Sequence, residues 1–236
     1  MNIASITAVS AAGLLLLAAR VAHAAAPATR PVPATQRFAA EIAAFEKRDQ
    51  AAPPPQGAIV FTGSSSIRMW GNALAEDMKP LVAINRGFGG STTSDLLQYM
   101  DRIVLPYRPR AIVVYCGEND IAGGATPQKV LDNMKTFVAR ARQALPDVRI
   151  YYISMKPSHS RWKLWDRISE GNRLIKEWAA QAGVTYIDIT AAMLDADGLP
   201  RSDIFLPDRL HMNRKGYELW IPLIKKRLEA DLGDGG

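Results

Sequence analysis

Cysteine is nearly absent from this chain of 236 residues: Cys116 is the sole thiol, so no intramolecular disulfide can form even in an oxidising compartment. It ends an apolar run and is expected to be a small buried hydrophobe. With no histidine near it in sequence, it is not assigned a nucleophilic role. Histidine is almost as scarce, at three residues, His23, His159 and His211. No Cys/His cluster has the spacing of a metal site, so no metal is expected. No cofactor is expected either, because Gly87-x-Gly89 lacks the third glycine of a dinucleotide-binding loop. The formal charge of +6 comes from dispersed Lys and Arg without an aromatic-interleaved basic stripe. That pattern fits a solvated basic surface and excludes nucleic acid as an expected partner. Internal repeats are lacking, and the length allows one sizeable core but not two comfortable α/β domains.

Long apolar runs are also missing. The stretch around Ala11–Ala19 is short for a membrane span of ~20 residues, and Ala22-His23-Ala24 follows it as an A-x-A cleavage site. Residues 1–24 are therefore read as an export signal, with a periplasmic or secreted product and no stable membrane span after cleavage. An uncleaved anchor is the competing reading, but the core is short and no cysteine follows to carry a lipid.

Beyond the signal, Ala25–Pro33 reads as a Pro/Ala linker. Thr35–Gln50 carries Phe38, Ile42 and Phe45 on one helical face before the Pro53-Pro54-Pro55 breaker, so residues 25–56 are a linker and an N-terminal helix. Five apolar runs follow: Ala58–Phe61, Leu81–Ile84, Ala111–Tyr115, Arg149–Ile153 and Val184–Ile187. Most are continuous rather than alternating, as in strands covered on both faces of a parallel sheet. Helical patterns lie between them at about Thr92–Ile103, Pro127–Ala144 and Asp166–Gln181. A last helix is expected from an N-cap at Asn213 to Asp231, kinked or interrupted at Pro222. Alternating strands and helices predict a three-layer α/β/α sandwich.

In such a sheet ligands bind beyond the carboxyl ends of the strands. Four polar segments fall there or before the last helix: Gly63-Ser64-Ser65, the glycine-rich turn Asn85–Gly90, the turn Gly117-Glu118-Asn119-Asp120, and Asp208-Arg209-Leu210-His211. Ser65, where the first strand turns into a helix starting near Ser66, would offer Oγ as a nucleophile and its own N–H toward a developing negative charge. Ser64 and Ser66 are adjacent competitors that spacing does not exclude, and a plain polar N-cap is the bland alternative. Asp208 lies three residues before His211 and can accept from its Nδ1–H, leaving Nε2 to take a proton from serine. His23 leaves with the signal, so only His159 and His211 remain; His159 has no close acidic residue before it and reads as a loop lining the cleft. The Gly90 N–H and the Asn119 amide are further donors for an oxyanion. Tight turns needing glycine, or turns favoured by Asn and Asp, are their structural alternatives. Asp120 reads as a buried turn or helix-capping residue. Trp162 and Trp165, interleaved with Arg161 and Lys163, form either an aromatic wall for substrate or a cover for the sheet edge.

These four blocks resemble those of the SGNH hydrolases of the GDSL lipase/esterase superfamily, over about Gly57–Leu232. The resemblance implies a hydrolase domain over residues 57–232 with a flavodoxin-like five-stranded parallel sheet. It implies Ser65 as nucleophile, Asp208 and His211 as its partners, and Ser65, Gly90 and Asn119 around the oxyanion. Ser64 stands where the first block usually has aspartate. The substrate is expected to be a small-molecule, lipid or acylated-carbohydrate ester. An acyltransferase using the same residues, or a non-catalytic carbohydrate-binding protein of the same fold, are the alternatives.

Overall fold

The computed structural model describes residues 37–233. The expected export signal, the expected Pro/Ala linker and the start of the first expected helix lie outside the described residues.

Five short strands form one fully parallel sheet in the order β2-β1-β3-β4-β5. They are β1 (Ile59–Gly63), β2 (Ala83–Gly87), β3 (Ala111–Tyr115), β4 (Arg149–Ile153) and β5 (Thr185–Ile187). Alternation within each strand divides the core. Val60, Ile112, Val114, Ile150 and Tyr152 face the layer made by α1 (Ala39–Ala51), α4 (Thr93–Ile103), α6 (Pro127–Ala144) and α7 (Trp165–Ala182). Ile59, Phe61, Val113, Tyr151 and Ile153 face α2 (Ser65–Trp70), α3 (Ala73–Asp77) and α8 (Arg214–Leu232). Both faces are covered, which is why β1 and β3 are buried along their whole length. Trp220, Ile224 and Leu228 carry the apolar stripe of α8 and are wholly buried, each contributing about 1.5–3 kcal/mol.

The three-layer sandwich is the expected one, and the bounds of β3, β4 and α6 coincide with the apolar runs. Caps account for several helix starts. Thr92 and Asp95 close a capping box on α4, Thr126 accepts from Lys129 N–H on α6, and Asn213 accepts from Gly216 N–H on α8. Three expectations need correction. Pro222 does not interrupt α8, because it and Glu218 lie on the solvent face, where water can satisfy the freed carbonyl. Asn85–Gly87 is the end of β2 rather than part of a turn; the Asn85 side chain donates to Ile67 O at 2.6 Å and accepts from Gly87 N–H at 2.9 Å, which holds a polar residue in an edge strand. Residues 118–122 form a short helix, α5 (Glu118–Ala122), instead of a simple turn.

Because all strands run the same way, their carboxyl ends gather at one end of the sheet. Backbone bonds draw these ends together: Ser64 N–H donates to Tyr115 O at 3.0 Å and Phe88 N–H to Gly63 O at 2.9 Å. Gly63 makes this approach possible. Its φ is +140°, and a Cβ there would stand 1.9 Å from Tyr115 O.

Candidate active site

Ser65 is the first residue of α2, directly beyond β1. Successive helical residues point about 100° apart, so the three serines face three directions. Ser64 and Ser66 are buried, and Ser64 Oγ has no hydrogen-bond partner among the described residues. Ser65 is half-buried, and its Oγ is 2.9 Å from His211 Nε2, a contact made across 146 residues of sequence.

His211 Nδ1 is 2.6 Å from Asp208 Oδ2. The other carboxylate oxygen accepts from the N–H groups of Leu210 and His211, at 3.0 and 2.9 Å. Arg209, at φ +56°, turns the chain back so that the carboxylate meets these donors. Leu206 N–H donates to His211 O at 2.8 Å and Ser160 N–H to Arg209 O at 3.1 Å, which holds the turn from both sides. The hydrogen bond from His211, with help from the backbone donors, keeps the Asp208 carboxyl down at about 2, against the opposing effect of burial. Three groups thus form one line, from hydroxyl to imidazole to carboxylate.

Gly90 and Asn119 lie beyond the ends of β2 and β3, the two strands that flank β1. Gly90 has φ +77°, a conformation that suits glycine. Asn119 Nδ2 donates to the carbonyl of Ser91, the residue after Gly90, at 2.8 Å. This staples the two loops and leaves the amide its second N–H. The N–H of Ser65, at the start of a helix, has no acceptor within that helix. Asp120 has the capping role expected of it. Its carboxylate accepts from Thr93 N–H at 3.0 and 3.1 Å and from the Thr93 hydroxyl at 2.5 Å, at the start of α4. Burial raises its pKa despite these bonds.

The remaining expected site residues do not join this line. His159 Nε2 is 3.0 Å from Ser202 Oγ, and its ring meets the edge of Phe205. Trp162 and Trp165 stack on each other, with centroids 5.5 Å apart. Trp165 packs against the core and borders a recess of about 330 Å³ with Tyr186 and Asp188, which none of Ser65, His211 and Asp208 lines. A recess of about 590 Å³ along the outer edge of β2, between α1 and α2, is likewise lined by other residues. Among the described residues no group of three His, Cys, Asp or Glu side chains is placed to hold a metal ion, and no helix is long and apolar enough to cross a membrane. Cys116 is buried, as expected, and burial raises its thiol pKa well above the usual range.

The sequence reading missed a buried charged cluster beneath Asn119. Lys156 is 0% exposed and its Nζ is 2.6 Å from Glu118 Oε1. The Tyr115 hydroxyl donates to the other Glu118 oxygen. Arg161 Nη1 is 3.3 Å from Glu118 Oε1, and Arg161 Nη2 donates to Asn119 Oδ1 at 2.6 Å. Burial alone would raise the Glu118 pKa, but the charges of Lys156 and Arg161 outweigh it and hold it below the usual value. Burial lowers that of Lys156, with Glu118 opposing. The available signal was position: Glu118 and Lys156 stand just beyond the apolar runs of β3 and β4, where the chain is still inside the molecule.

The segment ahead of β1 also reaches the site. Phe38 packs edge-on against Phe88 at 5.0 Å, Arg37 donates to Gly90 O at 3.2 Å, and Glu41 accepts from Gly89 N–H at 3.4 Å.

In sequence, the profile of the GDSL-like Lipase/Acylhydrolase family matches residues 52–219. No curated protein matches the chain. In structure, the chain is similar to a GDSL-like lipase from Bacteroides thetaiotaomicron, with 20% identity, TM-score 0.66, and 84% of this chain and 98% of that one covered. It is similar to a lipase/acylhydrolase from Enterococcus faecalis, with 24% identity, TM-score 0.60, and 75% and 97% covered. A mutant of an acetyl-xylooligosaccharide esterase from Geobacillus Stearmophilus gives 14% identity, TM-score 0.61, and 74% and 95% covered. At these identities the structural likeness establishes the fold.

Proposed function

The chain belongs to the GDSL-like Lipase/Acylhydrolase family, and from that premise we propose an exported serine esterase that cleaves carboxylic esters through an acyl-enzyme. The observation that carries this reading is the unbroken line from Ser65 Oγ through His211 to Asp208, with spacings of 2.9 and 2.6 Å.

His211 Nε2 takes the proton of the Ser65 hydroxyl as Oγ attacks the ester carbonyl. Asp208, ionised and facing Nδ1–H, fixes the tautomer and stabilises the imidazolium. The carbonyl oxygen becomes an oxyanion, received by the N–H groups of Ser65 and Gly90 and by the free N–H of Asn119. Collapse of the tetrahedral intermediate breaks the bond to the leaving alcohol, which takes the proton from His211. A water then gives its proton to His211, attacks the acyl carbon and releases the acid, returning the proton to Ser65.

The site is open: the Asp208 side chain is 47% exposed. Such a site admits an acyl group carried on a small alcohol, a lipid or a carbohydrate, and acylated carbohydrate is the class suggested by the Geobacillus esterase of the same fold. Export rests on the apolar and A-x-A pattern of residues 1–24, and the N-terminal sequence of protein recovered from the periplasm or medium tests it.

Hydrolysis of p-nitrophenyl acetate by wild type and Ser65→Ala tests the mechanism. The variant should lose turnover, and a fluorophosphonate should label Ser65 in the wild type. Equal rates in the two proteins would refute the assignment. An added acceptor alcohol shows whether acyl transfer accompanies hydrolysis.

A further inference from the structure

We infer that Arg161 is a positioning residue for the Asn119 amide, fixing its orientation and strengthening its free N–H as a donor; this rests on the reading of Asn119 as an oxyanion donor. An asparagine amide has a donor end and an acceptor end, and the wrong end would aim an oxygen at the oxyanion. Here both ends are specified. The Ser91 carbonyl accepts from Nδ2 at 2.8 Å, and the Arg161 guanidinium donates to Oδ1 at 2.6 Å. Only one orientation satisfies both partners.

The guanidinium adds polarisation. A cation hydrogen-bonded to the amide oxygen draws electron density from nitrogen, so the remaining N–H donates more strongly, as in any cooperative hydrogen-bond chain. The charges around it are arranged to the same end. Lys156, Glu118 and Arg161 carry two positive charges and one negative, packed with Tyr115 on the oxygen side of the amide. Lys156 is 0% and Glu118 3% exposed at the side chain, so this anchor is held firmly. Burying such a set is costly, and apolar residues of similar volume would serve folding as well or better. A role in the site accounts for its presence where stability does not.

Arg161 also sits where the two halves of the site meet. It lies at the kink within the 3₁₀ segment His159–Leu164, and the preceding residue, Ser160, donates its N–H to the Arg209 carbonyl in the turn that carries Asp208 and His211.

The test is a double-mutant cycle on p-nitrophenyl acetate hydrolysis with Arg161→Gln, Arg161→Lys, Asn119→Ala and the combinations. Arg161→Gln should lower kcat by about 10–10²-fold, less than the full loss of one oxyanion donor. KM should stay within about 3-fold, because the interaction belongs to the transition state. Arg161→Lys, which keeps the charge and loses the forked geometry, should recover part of the rate. In the Asn119→Ala background, Arg161→Gln should cost no more than about 2–3-fold, since coupled residues are non-additive. The same loss in both backgrounds, or a loss carried by KM, overturns the inference while leaving the oxyanion reading intact. A wild-type rate in Asn119→Ala overturns both. Should Arg161→Gln fail to fold, the cycle run with Arg161→Lys separates the same outcomes.

Discussion

His211 and Asp208 face each other across 2.6 Å, while the same carboxylate accepts from the backbone N–H of His211 itself at 2.9 Å. The aspartate therefore holds both the ring and the chain of its partner, and the turn and the tautomer are fixed together.

This relationship has a pH consequence. The folded pKa of Asp208, about 2, lies below its ordinary value of 3.8, so the stability gained from its ionisation is fully present above about pH 3.8 and lost as the pH falls toward 2. An NMR titration of the Asp208 carboxyl carbon should show no midpoint above 3.8. Asp208→Asn should lower kcat by about 10²–10⁴-fold, since the imidazole loses its anionic partner. Steady-state kinetics measure it, and a loss under tenfold counts against the assigned role.

Lys156 and Glu118 are a buried pair, 2.6 Å apart. Lys156→Met should destabilise the protein by about 3–5 kcal/mol, because it removes the nearer of the two cations from a buried carboxylate and leaves it only the Arg161 charge and the Tyr115 hydroxyl. Replacing both by apolar residues should cost less than the single change. Urea unfolding of the two variants decides the order.

Two glycines should respond differently to alanine. At Gly63 the new Cβ would collide with Tyr115 O at 1.9 Å, so Gly63→Ala should not fold to a soluble protein. At Gly90 the nearest atom is the flexible guanidinium of Arg37, 3.4 Å away. Gly90→Ala should fold with a loss of about 1 kcal/mol or more from the positive φ, and its kcat should fall as the loop shifts. Soluble yield, thermal melts and kinetics separate the two.

The helix ahead of the family match should matter to the chemistry. Phe38 meets Phe88 at 5.0 Å and Tyr99 at 6.4 Å and is buried. Phe38→Ala should cost about 3–5 kcal/mol. At temperatures where the variant stays folded, kcat should fall more than KM rises, because Phe88 leads into the glycines that Arg37 and Glu41 hold. Unchanged kcat in the folded variant would restrict α1 to stability.

Local physics determined what could be read from the chain alone. Apolar runs mark β3 and β4, and Pro127 after a threonine cap marks α6, because burial and capping are properties of a few consecutive residues. Scarcity did the rest, since two histidines beyond the expected signal and four polar blocks at strand ends or before the last helix left few candidates for the roles of Ser65, Asp208 and His211. Tertiary structure decided which of three adjacent serines faces His211, a matter of helix phase relative to a loop 146 residues away. The five-residue helices α3 and α5 are too short to show a period. Charges such as Glu118, Lys156 and Arg161 look like surface in a sequence, because what makes them internal is a set of partners supplied by other strands and loops. Chemistry-bearing residue types are a local property of the chain, whereas their distances to one another are set by the packing of the whole sheet.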